Sequence, residues 1–150
     1  YLSRVADTPG RKVLVVFTAG DDPTSQVPPQ EVLRLIRSSD ATIYPVAFPG
    51  EHRPGSSDAL RARSFLQSLA RLSGGRVFQP TASRELARIY QSILDELGAQ
   101  YVLGYVSDNP ARDGKFRRIT VELARPGLKV RHRTGYDAPK EAPPNSPKRQ

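Results

Sequence analysis

Two aspartates follow the most apolar run of the chain, at a place where carboxylates could hold a metal ion. Five consecutive apolar residues, Val13–Phe17, are followed by Thr18 and, after two intervening residues, by Asp21 and Asp22. Hydroxyl and carboxylate oxygens are ligands that Mg²⁺ accepts. Thr18, Asp21 and Asp22 carry side-chain oxygens of this kind. The same residues also fit the end of a strand and an acidic turn, in which aspartate binds the local backbone, and the sequence leaves both interpretations open.

Motifs of enzyme chemistry are missing from the rest of the sequence. The chain has no Cys, and its two histidines, His52 and His132, do not have the spacing of a metal-binding pair. It contains neither a Gly-x-Ser-x-Gly motif nor a Walker motif, and Gly74-Gly75 does not match the dinucleotide-binding pattern. We therefore expect a protein that is not an enzyme.

Positive charge is concentrated near the C-terminus. The net charge is +8, and the segment from Arg112 onward holds 11 of the 23 Lys and Arg but only 4 of the 15 Asp and Glu. A patch of this kind suits an anionic partner, such as a membrane surface or a polyanion. It also suits a solvated face. Nucleic acid is disfavoured, because Phe116 and Tyr136 do not interleave with the cations as a stacking platform.

A hairpin would bring four of these cations together. If Pro126 and Gly127 are the two turn residues, Thr120 faces Arg133 and Glu122 faces Arg131. One side of the hairpin then carries the candidate partner-binding residues, which are Arg118, Lys129, Arg131 and Arg133.

Hydrophobic periodicity predicts alternating strands and helices in the first hundred residues. Such alternation is typical of a parallel sheet. Pro45 lies inside the second strand, which fits an edge position or a bulge. The predicted strands cover 13–17, 42–48 and 76–79, and the predicted helices run from Pro28-Pro29 to about Ser39, from Asp58 to Gly74 and from 86 to 97.

The chain changes character after Gln100. Strands are predicted over 101–106, 116–124 and 128–133, the last two forming an antiparallel hairpin. Residues 137–150 are rich in Pro and Lys and are predicted to be a disordered tail. This gives three regions, which are 1–100, 101–136 and 137–150. No apolar run approaches the length of a transmembrane helix.

Several segments resemble the C-terminal part of a von Willebrand factor type A domain. Gly10–Gly20 is similar to the fourth strand of that family and its following loop, and Leu69–Phe78 is similar to the approach to its last core strand. The stretch from Glu85 to Tyr105, which includes Gln100–Tyr105, and the stretch from Gly114 to Arg131 resemble a bacterial von Willebrand factor type A-related subgroup. The resemblance covers roughly residues 9 to 138.

The resemblance implies a three-layer, doubly wound, Rossmann-like α/β fold, here a partial parallel sheet with a C-terminal antiparallel hairpin extension. It also implies a divalent cation at the carboxyl edge of the sheet, for which Thr18, Asp21 and Asp22 are the candidate ligands in this chain. Ala19 stands where the family usually has a metal-binding Asp. The metal site is therefore expected to be absent or degenerate, with Mg²⁺ binding only in a full-length parent in which Asp21 or Asp22 compensates.

The function implied by the resemblance is a non-catalytic, adhesion-type protein-interaction module of an exported, extracytoplasmic bacterial protein. The alternative is a binder of anionic partners through the basic hairpin and tail. In the family's strand order, the strand Val13–Phe17 lies beside a strand from the first half of the domain. Without that neighbour, the strand is expected to be an apolar edge through which the chain associates.

Overall fold

The computed structural model describes residues 10–18, 27–49 and 55–140. It has a mixed α/β fold with a two-stranded parallel sheet and a two-stranded antiparallel sheet. The strands are β1 (Val13–Thr18), β2 (Thr42–Ala47), β3 (Phe116–Arg118) and β4 (Gly135–Asp137), and the helices are α1 (Pro29–Ser38), α2 (Ser57–Ser73) and α3 (Leu86–Gly98). Of the predicted tail, 137–150, residues 141–150 lie outside the described residues, whereas Asp137 belongs to β4 and Ala138 is buried.

Helix boundaries follow local chemistry that the sequence makes visible. The Ser56 hydroxyl accepts a hydrogen bond from the Ala59 amide and caps the start of α2. Gly74 ends that helix with a φ of 83°, a left-handed conformation that favours glycine. A 3₁₀ turn, Ser83–Glu85, precedes α3, and the Glu85 carboxylate accepts hydrogen bonds from the Thr81 amide and hydroxyl. The three predicted helices are therefore confirmed.

Strand β2 makes all the parallel strand pairs that the structure describes. It pairs with β1 from Val13–Thr42 to Thr18–Ala47, and on its other side Val46 forms a single parallel bridge with Phe78. The predicted strand 76–79 is thus reduced to one bridge. Pro45 is fully buried and lies in β2, which pairs in a ladder with β1 alone among the described residues, so the predicted edge position fits the structure. Its nitrogen faces away from β1, so the ladder with β1 loses no donor, while its carbonyl accepts from the Phe78 amide.

Two apolar clusters lie against alternate residues of β2. Ile43 packs with Ile36 of α1 and with Leu66, Leu69 and Leu72 of α2. Tyr44 and Val46 pack with Ile89 and Ile93 of α3. Because successive side chains of a strand point to opposite faces, the two clusters contact opposite faces of β2.

The antiparallel hairpin is shorter than the sequence predicts. Its pairs, Phe116–Asp137 to Arg118–Gly135, have the register expected from a turn at Pro126-Gly127. The ladder ends after the Ile119 amide donates to the Thr134 carbonyl, so the predicted pairs of Thr120 and Glu122 are not formed. Residues 122–131 are exposed on both sides and bury no apolar face that would hold a longer ribbon.

Residues 101–106 form no strand, contrary to the prediction. Tyr101 and Val106 are 89% and 93% exposed. No described strand lies beside this segment, so its apolar pattern has no pairing partner. Within the described residues, none of the helices is long and apolar enough to cross a membrane.

Gly75 provides a test of the packing at the end of α2. A Cβ at this position would overlap the backbone carbonyl of Ile43 in β2. We expect Gly75→Ala to lower the free energy of unfolding by about 1–3 kcal/mol or more, because the backbone must move to make room. Gly98→Ala is the control, since a Cβ at Gly98 meets nothing within 4 Å. Urea denaturation measures both, and equal stabilities of the two variants would contradict this packing.

Candidate functional site

The carboxyl ends of β1 and β2 lie side by side, as the predicted metal site requires. Thr18 pairs with Ala47 in the parallel register, and the Thr18 carbonyl accepts a hydrogen bond from the Phe48 amide at 3.0 Å. Thr18 thus ends β1 at this edge of the sheet. Ala19, Asp21 and Asp22 lie outside the described residues, so the predicted ligand set stays a prediction. Within the described ranges, no three His, Cys, Asp or Glu side chains are grouped to hold a metal ion.

The outer edge of β1 is open in the part of the chain that the structure describes. The carbonyls of Lys12 and Thr18 accept from β2. Alternation along a parallel ladder therefore points the backbone groups of Val13, Val15 and Phe17 away from β2. No described strand pairs with them. An unpaired row of backbone donors and acceptors is a template for another strand.

Exposed apolar side chains flank this edge. The Phe17 ring lies 6.0 Å from the ring of Tyr90 on α3 and 6.4 Å from that of Phe48. Phe17 is 45% exposed and Leu94, one turn beyond Tyr90, is 60% exposed. We call Val13, Phe17, Tyr90 and Leu94 the β1 edge surface. Adjacent exposed apolar side chains of this kind mark a surface that another polypeptide can cover.

The four predicted hairpin cations fall into two pairs. Arg118 and Lys129 are exposed to solvent. Arg131 is ion-paired with Glu96 of α3, whereas Arg133 donates to the Arg37 carbonyl at 2.8 Å and to the Gly135 carbonyl at 3.0 Å. Burial lowers the pKa of Arg133. Two of the four cations therefore bind the body of the protein.

Glu96 is the centre of a polar cluster that the sequence does not reveal. Its Oε1 accepts from the Tyr44 hydroxyl at 2.8 Å and from Arg131, and its Oε2 lies 3.2 Å from Nε of Arg76. Arg76 also donates to the Ser92 hydroxyl at 2.6 Å. The strand, the helix and the C-terminal segment thus meet at one carboxylate. The sequence shows Glu96 only as part of the polar side of α3.

The chemistry of this cluster is structural. Tyr44 is fully buried, and its hydroxyl needs an acceptor because an unpaired buried polar group is costly. Burial, together with the hydrogen bond to Glu96, raises the pKa of Tyr44 above its ordinary value. Both carboxylate oxygens of Glu96 lie close to donors of neighbouring elements. The Glu96 cluster, namely Tyr44, Arg76, Glu96 and Arg131, therefore holds the elements together.

Glu96→Gln tests this role. The amide cannot neutralise Arg76 and Arg131, so we expect the free energy of unfolding to fall by about 1–3 kcal/mol. Asp95→Asn is the matched control, because Asp95 is an exposed neighbour on the same helix that accepts only from Gln91. Chemical denaturation of both variants gives the comparison. A loss of stability in Asp95→Asn as large as in Glu96→Gln would refute the special role of Glu96.

Comparison with known proteins does not extend these findings. No protein-family model and no curated protein matches the chain. One solved structure, an uncharacterized membrane-spanning protein from Vibrio fischeri, is similar with a TM-score of 0.45 and 24% sequence identity. The similarity covers 63% of this chain and 50% of that one, so the chain spans about half the length of that structure.

Proposed function

We propose that this chain is a non-catalytic protein-interaction module and part of a von Willebrand factor type A-like domain of an exported bacterial protein. The sequence resemblance supports the family, the interaction role and the extracytoplasmic location. The order β1–α1–β2–α2 with parallel pairing of the strands is compatible with the family.

The packing of the helices supports a three-layer, doubly wound arrangement. Helices α1 and α2 contribute to the cluster around Ile43, and α3 contributes to the cluster around Tyr44 and Val46. A parallel strand whose two faces contact different helices fits the middle layer of such a fold.

The single observation that carries the proposed function is the open edge of β1. Its outward backbone groups lack a partner among the described residues, and the β1 edge surface beside them is apolar. Strand addition would satisfy these backbone groups and bury the flanking side chains. We propose that the module binds polypeptide in this way. In the family, the strand at this place belongs to the same domain.

We further propose that any metal dependence resides at the carboxyl edge. Thr18 ends β1 there, and the loop with Asp21 and Asp22 follows it in the sequence. Mg²⁺ would need one of these aspartates to replace the Asp that the family has at the position of Ala19. The proposed interaction along β1 does not depend on the metal.

Val13→Lys tests the open edge. A lysine on an edge strand opposes pairing with a second chain. We expect the unmodified chain to self-associate at roughly micromolar to millimolar concentrations, because β1 of one copy offers a strand to another. The Val13→Lys variant should stay monomeric over the same range. Sedimentation velocity over a concentration series measures the difference.

Leu60→Lys is the control for added charge. Leu60 is an exposed apolar residue of α2, 57% accessible, and lies away from β1. This variant should associate like the unmodified chain, and both variants should keep a cooperative thermal transition. A chain that is monomeric at every concentration and melts sharply would contradict the proposed open edge.

A further inference from the structure

A shallow cleft lies at the C-terminal end of α2. Its volume is about 380 Å³. Gln67 and Arg71 of α2, Arg76 after the Gly74-Gly75 turn, and Arg131 and His132 of the C-terminal segment line it. Three arginines thus line one cleft. The predicted hairpin patch contributes only Arg131 to this set.

Two of the three arginines are held in position by the protein. Arg76 donates to Ser92, lies 3.2 Å from Glu96 and stacks 4.4 Å above the ring of Phe78. Arg131 is fixed by its ion pair with Glu96. Both side chains are still about 40% exposed, with values of 41% and 42%. They therefore keep donors for a ligand, and little conformational entropy is lost when one binds.

The other basic groups of the cleft are less constrained. Arg71 is exposed and has no hydrogen-bond or ion-pair partner among residues 10–18, 27–49 and 55–140. Nδ1 of His132 lies 2.7 Å from the Arg133 carbonyl, which can only accept, so Nδ1 carries the proton. Nε2 of His132 is not used by that bond. Arg71 and His132 thus add two basic residues to the lining of the cleft.

The charges of the cleft do not cancel. Three arginines carry +3 and Glu96 carries −1, which leaves +2 when His132 is neutral. The planar guanidinium group binds phosphate and carboxylate oxygens in a bidentate manner. A phosphate monoester carries close to two negative charges at neutral pH. Its charge therefore matches the excess, whereas one carboxylate neutralises only half of it.

We propose that the cleft of Arg71, Arg76, Arg131 and His132 binds a phosphate monoester group. The group can come from a soluble phosphate ester or from a phosphate-monoester lipid headgroup. This site is independent of the proposed interaction along β1, because it shares no residue with the β1 edge surface.

Two measurements test the site. The first is calorimetric titration of the full chain with inorganic phosphate at low ionic strength. The second compares binding of the chain to phosphatidylcholine vesicles with and without phosphatidic acid. Arg71→Gln removes the arginine that makes no other described contact, so folding should be unaffected. We expect it to weaken phosphate binding about tenfold or more, as for loss of a charge-assisted hydrogen bond. Arg63→Gln is the matched control, with the same substitution on an exposed position of the same helix.

Each outcome decides the proposal. Phosphate binding that Arg71→Gln weakens and Arg63→Gln leaves intact supports the site and a soluble ligand. Binding only to phosphatidic acid vesicles, with the same dependence on Arg71, supports the site and a lipid source. No binding of either probe overturns the proposal. So does an equal effect of both variants, because binding would then reflect only the net charge of the chain. None of these results bears on association along β1.

Discussion

The burial of β2 is the constraint on which the rest of the structure depends. Tyr44 and Val46 have no exposed surface, and Ile43 is 2% exposed. Apolar side chains on both faces of a strand require cover on both faces, and two groups of helices supply it through the clusters of Ile43 and of Tyr44. The close approach of Gly75 to the Ile43 carbonyl follows from the same demand, because α2 must end against β2.

The buried hydroxyl of Tyr44 connects β2 to the C-terminal segment through Glu96. This hydroxyl binds Glu96, and Glu96 in turn binds Arg76 and Arg131. Arg133 adds a second attachment through the carbonyl of Arg37, and its backbone passes over Gly74, where a Cβ would lie 2.9 Å from the Arg133 amide nitrogen. The segment before β4 is therefore held against α1 and α2. The basic cleft exists because Arg131 and His132 are held there.

The sequence predicts those parts of the fold that local chemistry decides. Helices α1, α2 and α3 follow from periodicity and caps such as Ser56 and Gly74, and β1 and β2 follow from their apolar runs. The register of the hairpin follows from Pro126-Gly127. The length of the hairpin cannot be predicted in this way, because it depends on whether the side chains of its strands are buried against other parts of the protein. Segment 101–106 has the pattern of a strand but no strand to pair with among the described residues.

Among the site residues, too, some positions can be predicted from the local sequence and others depend on contacts with distant parts of the chain. The position of Thr18 at the carboxyl edge follows from β1 alone, since parallel strands end together. The contacts of Glu96 join residues 52 and 35 positions apart in the sequence, and no spacing rule reveals them. Arg131 and Arg133 alternate in the sequence as residues of a solvated face do. In the structure, however, Arg131 forms an ion pair with Glu96, and Arg133 donates a hydrogen bond to the Arg37 carbonyl.

Amide hydrogen exchange along β1 tests the central claim, the open edge, most directly. In the dilute monomer, the amides of Leu14 and Val16 face β2 and should exchange slowly. Those of Val13, Val15 and Phe17 face outward and should exchange quickly, and then slow down when the chains associate. Strong protection of Val15 and Phe17 in the dilute monomer, equal to that of Leu14 and Val16, would mean that the edge is already paired and would contradict the account.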